Sequence, residues 1–225
     1  MEKNKLKISI AINIIIVIFT IFASFMMFTG FKIMDAENLL ESTALGMFRF
    51  FTVDSNLFMG IVASIFLIDE IKVLKGTKNE VSTKMYILKL TSTTAVSVTF
   101  ITVVAYLGPI AKGGIISLLM NSNLFFHLLV PVLSIISFIF FERTDKLKLR
   151  TSLFGILPTF VYSIYYLINV LVHMENGKVS PLYDWYWFVQ GGMHQIFIVF
   201  PVMLLASYLT CLALWRANKK KIKNN

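Results

Sequence analysis

Thr52 and His127 are polar residues within apolar stretches of the sequence, and a threonine with a histidine could form a nucleophile and its base. A threonine hydroxyl is a weak nucleophile until a base removes its proton, and a neutral histidine is the usual base. Asp54 and His194 are further ionisable groups within apolar stretches of the sequence. Because ionisable side chains inside a membrane are costly, we expect them to face a bundle interior or a wet cavity.

Helical spacing brings more polar groups to the two principal residues. Asn56 follows Thr52 by four residues, so both lie on one helix face, whereas Asp54 points elsewhere. Asn123, His127 and Pro131 repeat at the same four-residue step. Proline has no backbone N–H, and its ring clashes with the carbonyl one turn earlier. We therefore predict a kink beside His127 and a freed backbone carbonyl that needs a partner.

The two polar faces are expected at one depth near the outer surface of the membrane. At a rise of about 1.5 Å per residue, Thr52 and His127 each lie about 5 Å inside the start of their helices. Asn56 or Asn123 could then donate a hydrogen bond to a developing oxyanion, a role worth roughly 3–4 kcal/mol in a well-studied case. The sequence thus predicts a shallow polar site on two helices, with Asp54 and His194 as further substrate-contacting candidates.

Each residue also has a purely structural interpretation. A threonine in a membrane helix usually bonds a carbonyl of its own preceding turn, and an intramembrane histidine commonly bonds a neighbouring helix. Asp54 can face an outer water pocket, and His194 can lie among lipid headgroups. Lys89 is expected to extend along its helix until its ammonium reaches the inner surface.

The composition defines the elements that must hold these residues. Of the 225 residues, 57% are hydrophobic and 15% charged, against about 45–50% and about 25% in soluble domains. We predict an all-α membrane protein, a single domain over residues 1–225 with a retained first span. At about 20 residues per span, the six-helix bundle has spans near residues 8–31, 48–68, 86–108, 124–141, 152–172 and 188–215. One cysteine, Cys211, excludes an intrachain disulfide and any cysteine-based metal cluster.

Basic residues predict the orientation of the bundle. Of the 21 Lys and Arg residues, 17 fall on the side that holds both termini and four on the other. Both termini are therefore expected in the cytoplasm. The same residues suit anionic lipid headgroups at that face, so the net charge of +9 does not indicate a nucleic-acid surface. A cluster of Tyr183, Trp185, Tyr186 and Trp187 is expected at the outer membrane interface.

Two stretches resemble the androgen-induced membrane threonine hydrolases. Residues 50–57, FFTVDSNL, resemble the opening of that family's second span, and residues 123–132, NLFFHLLVPV, resemble its His-x-x-x-Pro motif. The form of both motifs is closest to bacterial six-span relatives. The resemblance implies a cofactor-free hydrolase of fatty acid esters of hydroxy fatty acids, located in the bacterial cell membrane. It assigns the nucleophile to Thr52 and the base to His127.

Two other functions fit the same residues. A small-molecule transporter or receptor could line an outer cavity with them, since the prolines at 131, 158 and 201 favour broken helices. A b-type haem protein would use His127 and His194 as axial ligands, which requires the two imidazoles to face each other across the bundle.

Overall fold

The computed structural model describes residues 3–35, 42–111 and 113–219, and it is almost entirely helical. Five helical stretches among these residues are long and apolar enough to cross a membrane: α1 (Lys3–Thr29), α3 (Thr83–Leu107), α4 (Ser122–Phe141), α5 (Leu149–Val172) and α6 (Met193–Lys219). A further 24-residue helix, α2 (Phe51–Leu74), lies between α1 and α3 in the chain. The predicted all-α fold is confirmed, whereas six membrane spans with both termini in the cytoplasm stay a prediction.

Short elements connect the long helices. A 3₁₀ helix, Ala44–Arg49, precedes α2, and the helical turns Gly108–Ile110 and Gly114–Ser117 lie between α3 and α4. Two paired strands, β1 (Met174–Glu175) and β2 (Lys178–Val179), form an antiparallel hairpin after α5. The basic residues Lys112, Lys220, Lys221 and Lys223 lie outside the described residues.

Several helices begin or end a few residues away from the predicted span bounds. The second helix begins at Phe51 because Phe50 is extended and residues 44–49 form a 3₁₀ helix. The last helix begins at Met193, five residues later than expected. Its predicted first turn is a loop instead, since the buried Asp184 carboxylate accepts hydrogen bonds from the amides of Phe188 and Val189.

The third helix is the centre of the bundle. It contacts α2, α4, α5 and α6, and every residue from 89 to 99 is buried. Small side chains in this stretch let neighbouring helices approach closely. Some of their hydroxyl groups are satisfied within the helix, as where Thr94 and Ser97 donate to carbonyls four residues earlier. The buried hydroxyl of Thr93 has no hydrogen-bond partner among the described residues.

The outer faces of the bundle are apolar. Phe197 is 81% exposed, Ile21 65% and Val161 64%, on α6, α1 and α5 respectively. Side chains of this kind are stable on a surface only if that surface meets lipid or a partner. Together with the five apolar helices, this exposure is consistent with a multi-pass membrane protein.

Candidate functional site

His127 lies at the middle of a π-helical turn in α4. Residues Phe125–Leu129 form the turn, and the amide of Val130 closes it by donating to the carbonyl of Phe125, five residues earlier. Regular α-helix resumes at Val130, with Pro131 in its first turn. Single π turns inside helices are frequent at functional sites. The distortion predicted beside His127 is therefore present as a π turn.

The π turn frees the carbonyl of Phe126. The helical amide five residues further on would belong to Pro131, which has none. Asn56 of α2 supplies the missing donor, because its Nδ2 lies 3.0 Å from the Phe126 carbonyl oxygen and 2.7 Å from that of Thr52. The sequence predicted such an orphan carbonyl, and the structure shows that it belongs to residue 126 and bonds to α2.

Thr52 and His127 line the same small cavity. Asn123 lines it as well, and the remaining wall is formed by Met27, Phe50 and Val53. His127 and Asn123 are each only 2% exposed, whereas Thr52 is half-buried. The cavity has a volume of about 10 Å³, close to the space that one water molecule needs. The fold thus brings together, from α2 and α4, the two residues that the sequence singled out.

A backbone contact fixes the tautomer of His127. Its Nδ1 lies 2.7 Å from the carbonyl oxygen of Leu118. A carbonyl oxygen only accepts hydrogen bonds, so Nδ1 carries the ring proton and donates it. In the neutral imidazole, Nε2 is then the atom with a free lone pair. This arrangement suits a general base that receives its proton at Nε2.

Thr52 occupies the first turn of α2, in which the amides of Val53 and Asp54 both donate to the carbonyl of Phe50. The hydroxyl of Tyr186 accepts the hydrogen bond of the Phe51 amide at 3.0 Å. Burial raises the pKa of Tyr186 to about 12, so its hydroxyl keeps its proton at neutral pH. The positive end of the helix dipole lies beside Thr52, which favours negative charge there.

The loop between the hairpin and α6 supports this helix start. Asp184 is fully buried and accepts hydrogen bonds from the Tyr166 hydroxyl and, at 2.9 Å, from Gln190 Nε2, besides the two loop amides. Trp185 is 7% exposed and donates to the Tyr162 hydroxyl. Within the predicted interfacial cluster, Trp185 therefore packs inside the protein, whereas Trp187 is 58% exposed.

Sequence reasoning gave no role to Asp184 or Tyr186, although both support the site. A single aspartate among aromatic residues resembles ordinary surface loop sequence. A usable signal was the apolar setting of Asp184, because a carboxylate surrounded by tyrosine and tryptophan needs several donors if it is buried.

The other predicted site residues lie elsewhere. Asp54 lines a separate groove of about 810 Å³ together with Phe51, Ser55 and residues of α3 and α5. Asn56 uses its amide group to bond the carbonyls of Thr52 and Phe126. His194 is exposed at the start of α6. Neither Asp54 nor His194 lines the cavity that holds His127.

The haem interpretation does not fit these positions. His127 faces a cavity of about 10 Å³ and its Nδ1 is bonded to a backbone carbonyl. His194 is exposed and lines a different part of the surface. The two imidazoles therefore do not face each other across a space that could contain a porphyrin.

A second set of polar side chains is buried near the C-terminal end of α2. Lys89 was expected to reach the inner surface, but it is fully buried, and its Nζ lies 3.1 Å from Glu142 Oε1. Glu70, also fully buried, lies 18 residues after Thr52, about 27 Å along the helix. The snorkelling prediction was wrong because a carboxylate in the bundle attracts the ammonium inward.

Comparison of the chain with models of known protein families, with curated proteins and with solved structures finds no match. The resemblance to the threonine hydrolases therefore depends on the two short motifs alone.

Proposed function

We propose that this protein is an integral membrane hydrolase of lipid esters, in which Thr52 is the nucleophile and His127 the general base. The observation that carries the proposal is the shared cavity of Thr52 and His127, with the His127 proton held on Nδ1 by the Leu118 carbonyl. The motif resemblance indicates fatty acid esters of hydroxy fatty acids as the substrate class.

The first step forms an acyl-enzyme. The Thr52 hydroxyl oxygen attacks the ester carbonyl carbon while His127 Nε2 takes the hydroxyl proton. The tetrahedral intermediate then collapses, and its carbon–oxygen bond to the leaving alcohol breaks. His127 returns the proton to that alcohol oxygen, so the alcohol leaves neutral and the acyl group stays on Thr52.

The second step hydrolyses the acyl-enzyme. A water molecule attacks the acyl carbonyl and gives one proton to His127 Nε2. Collapse of the second intermediate releases the fatty acid, and the Thr52 oxygen regains the proton from His127. The small cavity has about the volume of one water molecule, which suits this step.

Two groups are placed to stabilise the negative oxygen of each intermediate. Asn123 lines the cavity and can donate a hydrogen bond there, and the first turn of α2 contributes the positive end of its helix dipole. Asn56 is less suited, since its Nδ2 donates to the carbonyls of Thr52 and Phe126. We therefore assign the oxyanion hydrogen bond to Asn123, with the dipole of α2 as an added favourable field, and a positioning role to Asn56.

An ester group is larger than the cavity, so substrate entry requires a wall residue to move. Met27 is the residue best suited to this, because a methionine side chain is flexible and adapts its shape. In our proposal α2 also crosses the membrane, which brings the number of spans to six, and both termini are cytoplasmic. The site then opens toward the outer leaflet, where the acyl chains of a lipid ester lie. The host membrane is proposed to be a bacterial cell membrane.

The test is turnover of a panel of lipid esters by purified protein in proteoliposomes. Wild type should release fatty acid from at least one ester, and Thr52→Ala should release none. Thr91→Ala is a matched control, since Thr91 is a buried threonine on α3 that does not line the cavity. Equal turnover by wild type and Thr52→Ala would contradict the proposal.

A transporter or receptor is the second candidate. The buried group formed by Lys89, Glu70 and Glu142 favours it, because intramembrane ionisable clusters mark ion and proton pathways. The ester panel separates the two functions: a protein that binds a fatty acyl ester without cleaving it fits the receptor or transporter candidate.

A further inference from the structure

The inner end of the bundle contains a cluster of polar side chains that are all fully buried. We call it the carboxylate cluster, and it consists of Ser9 and Asn13 of α1, Glu70 of α2, Lys89 of α3, Ser137 of α4, and Glu142, which follows the last residue of α4. Four helices thus meet at one charged centre, and ester hydrolysis at Thr52 makes no use of it.

The donors of the cluster are divided unequally between the two carboxylates. Glu142 Oε1 accepts from Ser137 at 2.6 Å, from Asn13 Nδ2 at 2.9 Å and from Lys89 Nζ at 3.1 Å. Glu70 Oε2 accepts from Asn13 Nδ2 at 3.1 Å. Charge-assisted hydrogen bonds of this kind favour the ionised carboxylate. Glu142 is therefore the carboxylate that the cluster holds as an anion.

Two carboxylate oxygens in the cluster are buried without a hydrogen-bond partner. They are Glu70 Oε1 and Glu142 Oε2. The titratable and charged groups that face Glu70 are Glu142 and, on α3, Lys89 and Tyr86. Two carboxylates and one ammonium leave one negative charge in excess. An uncompensated charge in a fully buried site is expensive. The cluster therefore needs one positive charge in addition to the Lys89 ammonium to become neutral.

We propose that the carboxylate cluster is a proton-binding site, in which Glu70 carries one exchangeable proton and Glu142 forms the ion pair with Lys89. Binding converts the Glu70 carboxylate into a carboxylic acid and makes the cluster neutral. Release of the proton leaves one buried negative charge, and the Glu70 carboxylate then competes with Glu142 for hydrogen bonds from Asn13 and Lys89. Protonation therefore changes the interaction between α1, α2, α3 and the end of α4.

The test is infrared spectroscopy of the full chain in lipid nanodiscs, with isotope-labelled glutamate so that aspartates do not contribute. Wild type should show the carbonyl stretch of a protonated glutamic acid at neutral pH, where exposed glutamates are ionised. The band should disappear as the pH rises. A wild-type spectrum without this band at neutral pH would overturn the proposal.

Three variants assign the proton. Glu70→Gln should lose the band, whereas Asp69→Asn should keep it, because Asp69 is the neighbouring carboxylate paired with Lys78 outside the cluster. Lys89→Met should roughly double the band area, since without the ammonium both carboxylates must be neutral. A band that survives in Glu70→Gln would contradict the assignment to Glu70.

The same measurement distinguishes a proton from a metal cation. The spectra are recorded in sodium chloride and in choline chloride. Identical bands in both salts support the proton. A band that appears only in choline chloride would mean that sodium occupies the cluster, and that outcome would also overturn the proposal.

Discussion

At the scale of single residues, the site depends on one backbone carbonyl as much as on its two reactive side chains. Leu118 fixes the proton of His127 on Nδ1, and this leaves Nε2 as the base. The roles of Thr52 and His127 came from the motif resemblance, and helical spacing predicted that the two residues share one depth. The partner that sets the tautomer was not predictable, because Leu118 contributes only a main-chain atom and its side chain carries no signal.

If Thr52 and His127 act as one unit, their substitutions should not add. His127→Ala should reduce ester turnover to the level of Thr52→Ala, and the double variant should be no slower than either single variant. The measurement is the rate of fatty acid release by the three variants, with Thr52→Ser as a control that keeps the hydroxyl and measurable activity. A double variant much slower than both single variants would show that the residues act separately.

The tautomer is itself measurable. Nitrogen-15 NMR of histidine-labelled protein at neutral pH should show Nδ1 protonated for His173, whose Nδ1 lies 2.8 Å from the Asn169 carbonyl oxygen. It should also show a second resonance with Nδ1 protonated and Nε2 unprotonated, which we assign to His127. That resonance should vanish in His127→Ala and persist in His194→Ala, because His194 is exposed at the start of α6. An Nε2-protonated form for His127 would contradict the assignment of Nε2 as base.

At the scale of elements, the π turn of α4 and the first turns of α2 are joined by one side chain. Asn56 donates to the carbonyl of Phe126, which Pro131 leaves without a helical donor. The sequence predicted the distortion from Pro131. It pointed to the carbonyl of His127, four residues before Pro131, and this was wrong by one residue because a π turn shifts the hydrogen-bond register.

Asn56→Leu should destabilise the protein by about 1–3 kcal/mol, since it leaves a buried carbonyl unsatisfied. Pro131→Ala in the same chain should recover part of this loss, because residue 131 then has an amide at the π-helical spacing from Phe126. Thermal unfolding in detergent measures both. If the two substitutions instead change the free energy of unfolding additively, the residue 131 amide does not replace Asn56 as the donor to the Phe126 carbonyl.

The loop before α6 should depend strongly on Asp184. Asp184→Ala removes the acceptor of the Phe188 and Val189 amides and of the Tyr166 hydroxyl, so we expect a loss of about 2–5 kcal/mol. Gln190→Ala removes a single hydrogen bond to the same carboxylate and should cost about 1 kcal/mol. Equal unfolding temperatures for the two variants would contradict this role of Asp184.

At the scale of the whole molecule, composition alone indicates a membrane bundle, and the five long apolar helices agree with it. Helix boundaries were less predictable, because tertiary contacts such as those of Asp184 determine where α6 begins. The position of Lys89 could not be inferred from its own helix. Its partner Glu142 is 53 residues away in the sequence, and only the packing of α3 against α4 brings the two together.

The proposed orientation is tested with single cysteines in a Cys211→Ser chain. Thr77 and Lys148 are exposed in the connections that should be cytoplasmic, and Lys178 is exposed in the hairpin that should be outside. An impermeant thiol reagent applied to intact cells should label Lys178→Cys and neither of the other two. Labelling of Thr77→Cys or Lys148→Cys from outside would contradict the orientation of both termini.

The central claim is that Thr52 carries the acyl group, and peptide mass mapping after treatment with a serine/threonine-directed fluorophosphonate tests it most directly. The reagent phosphonylates an activated hydroxyl and leaves a stable adduct whose position the fragment ions define. We predict an adduct on Thr52 in wild type, the same position modified as serine in Thr52→Ser, and no adduct in His127→Ala. An adduct on Ser55 or on another hydroxyl, with Thr52 unmodified, would contradict the account.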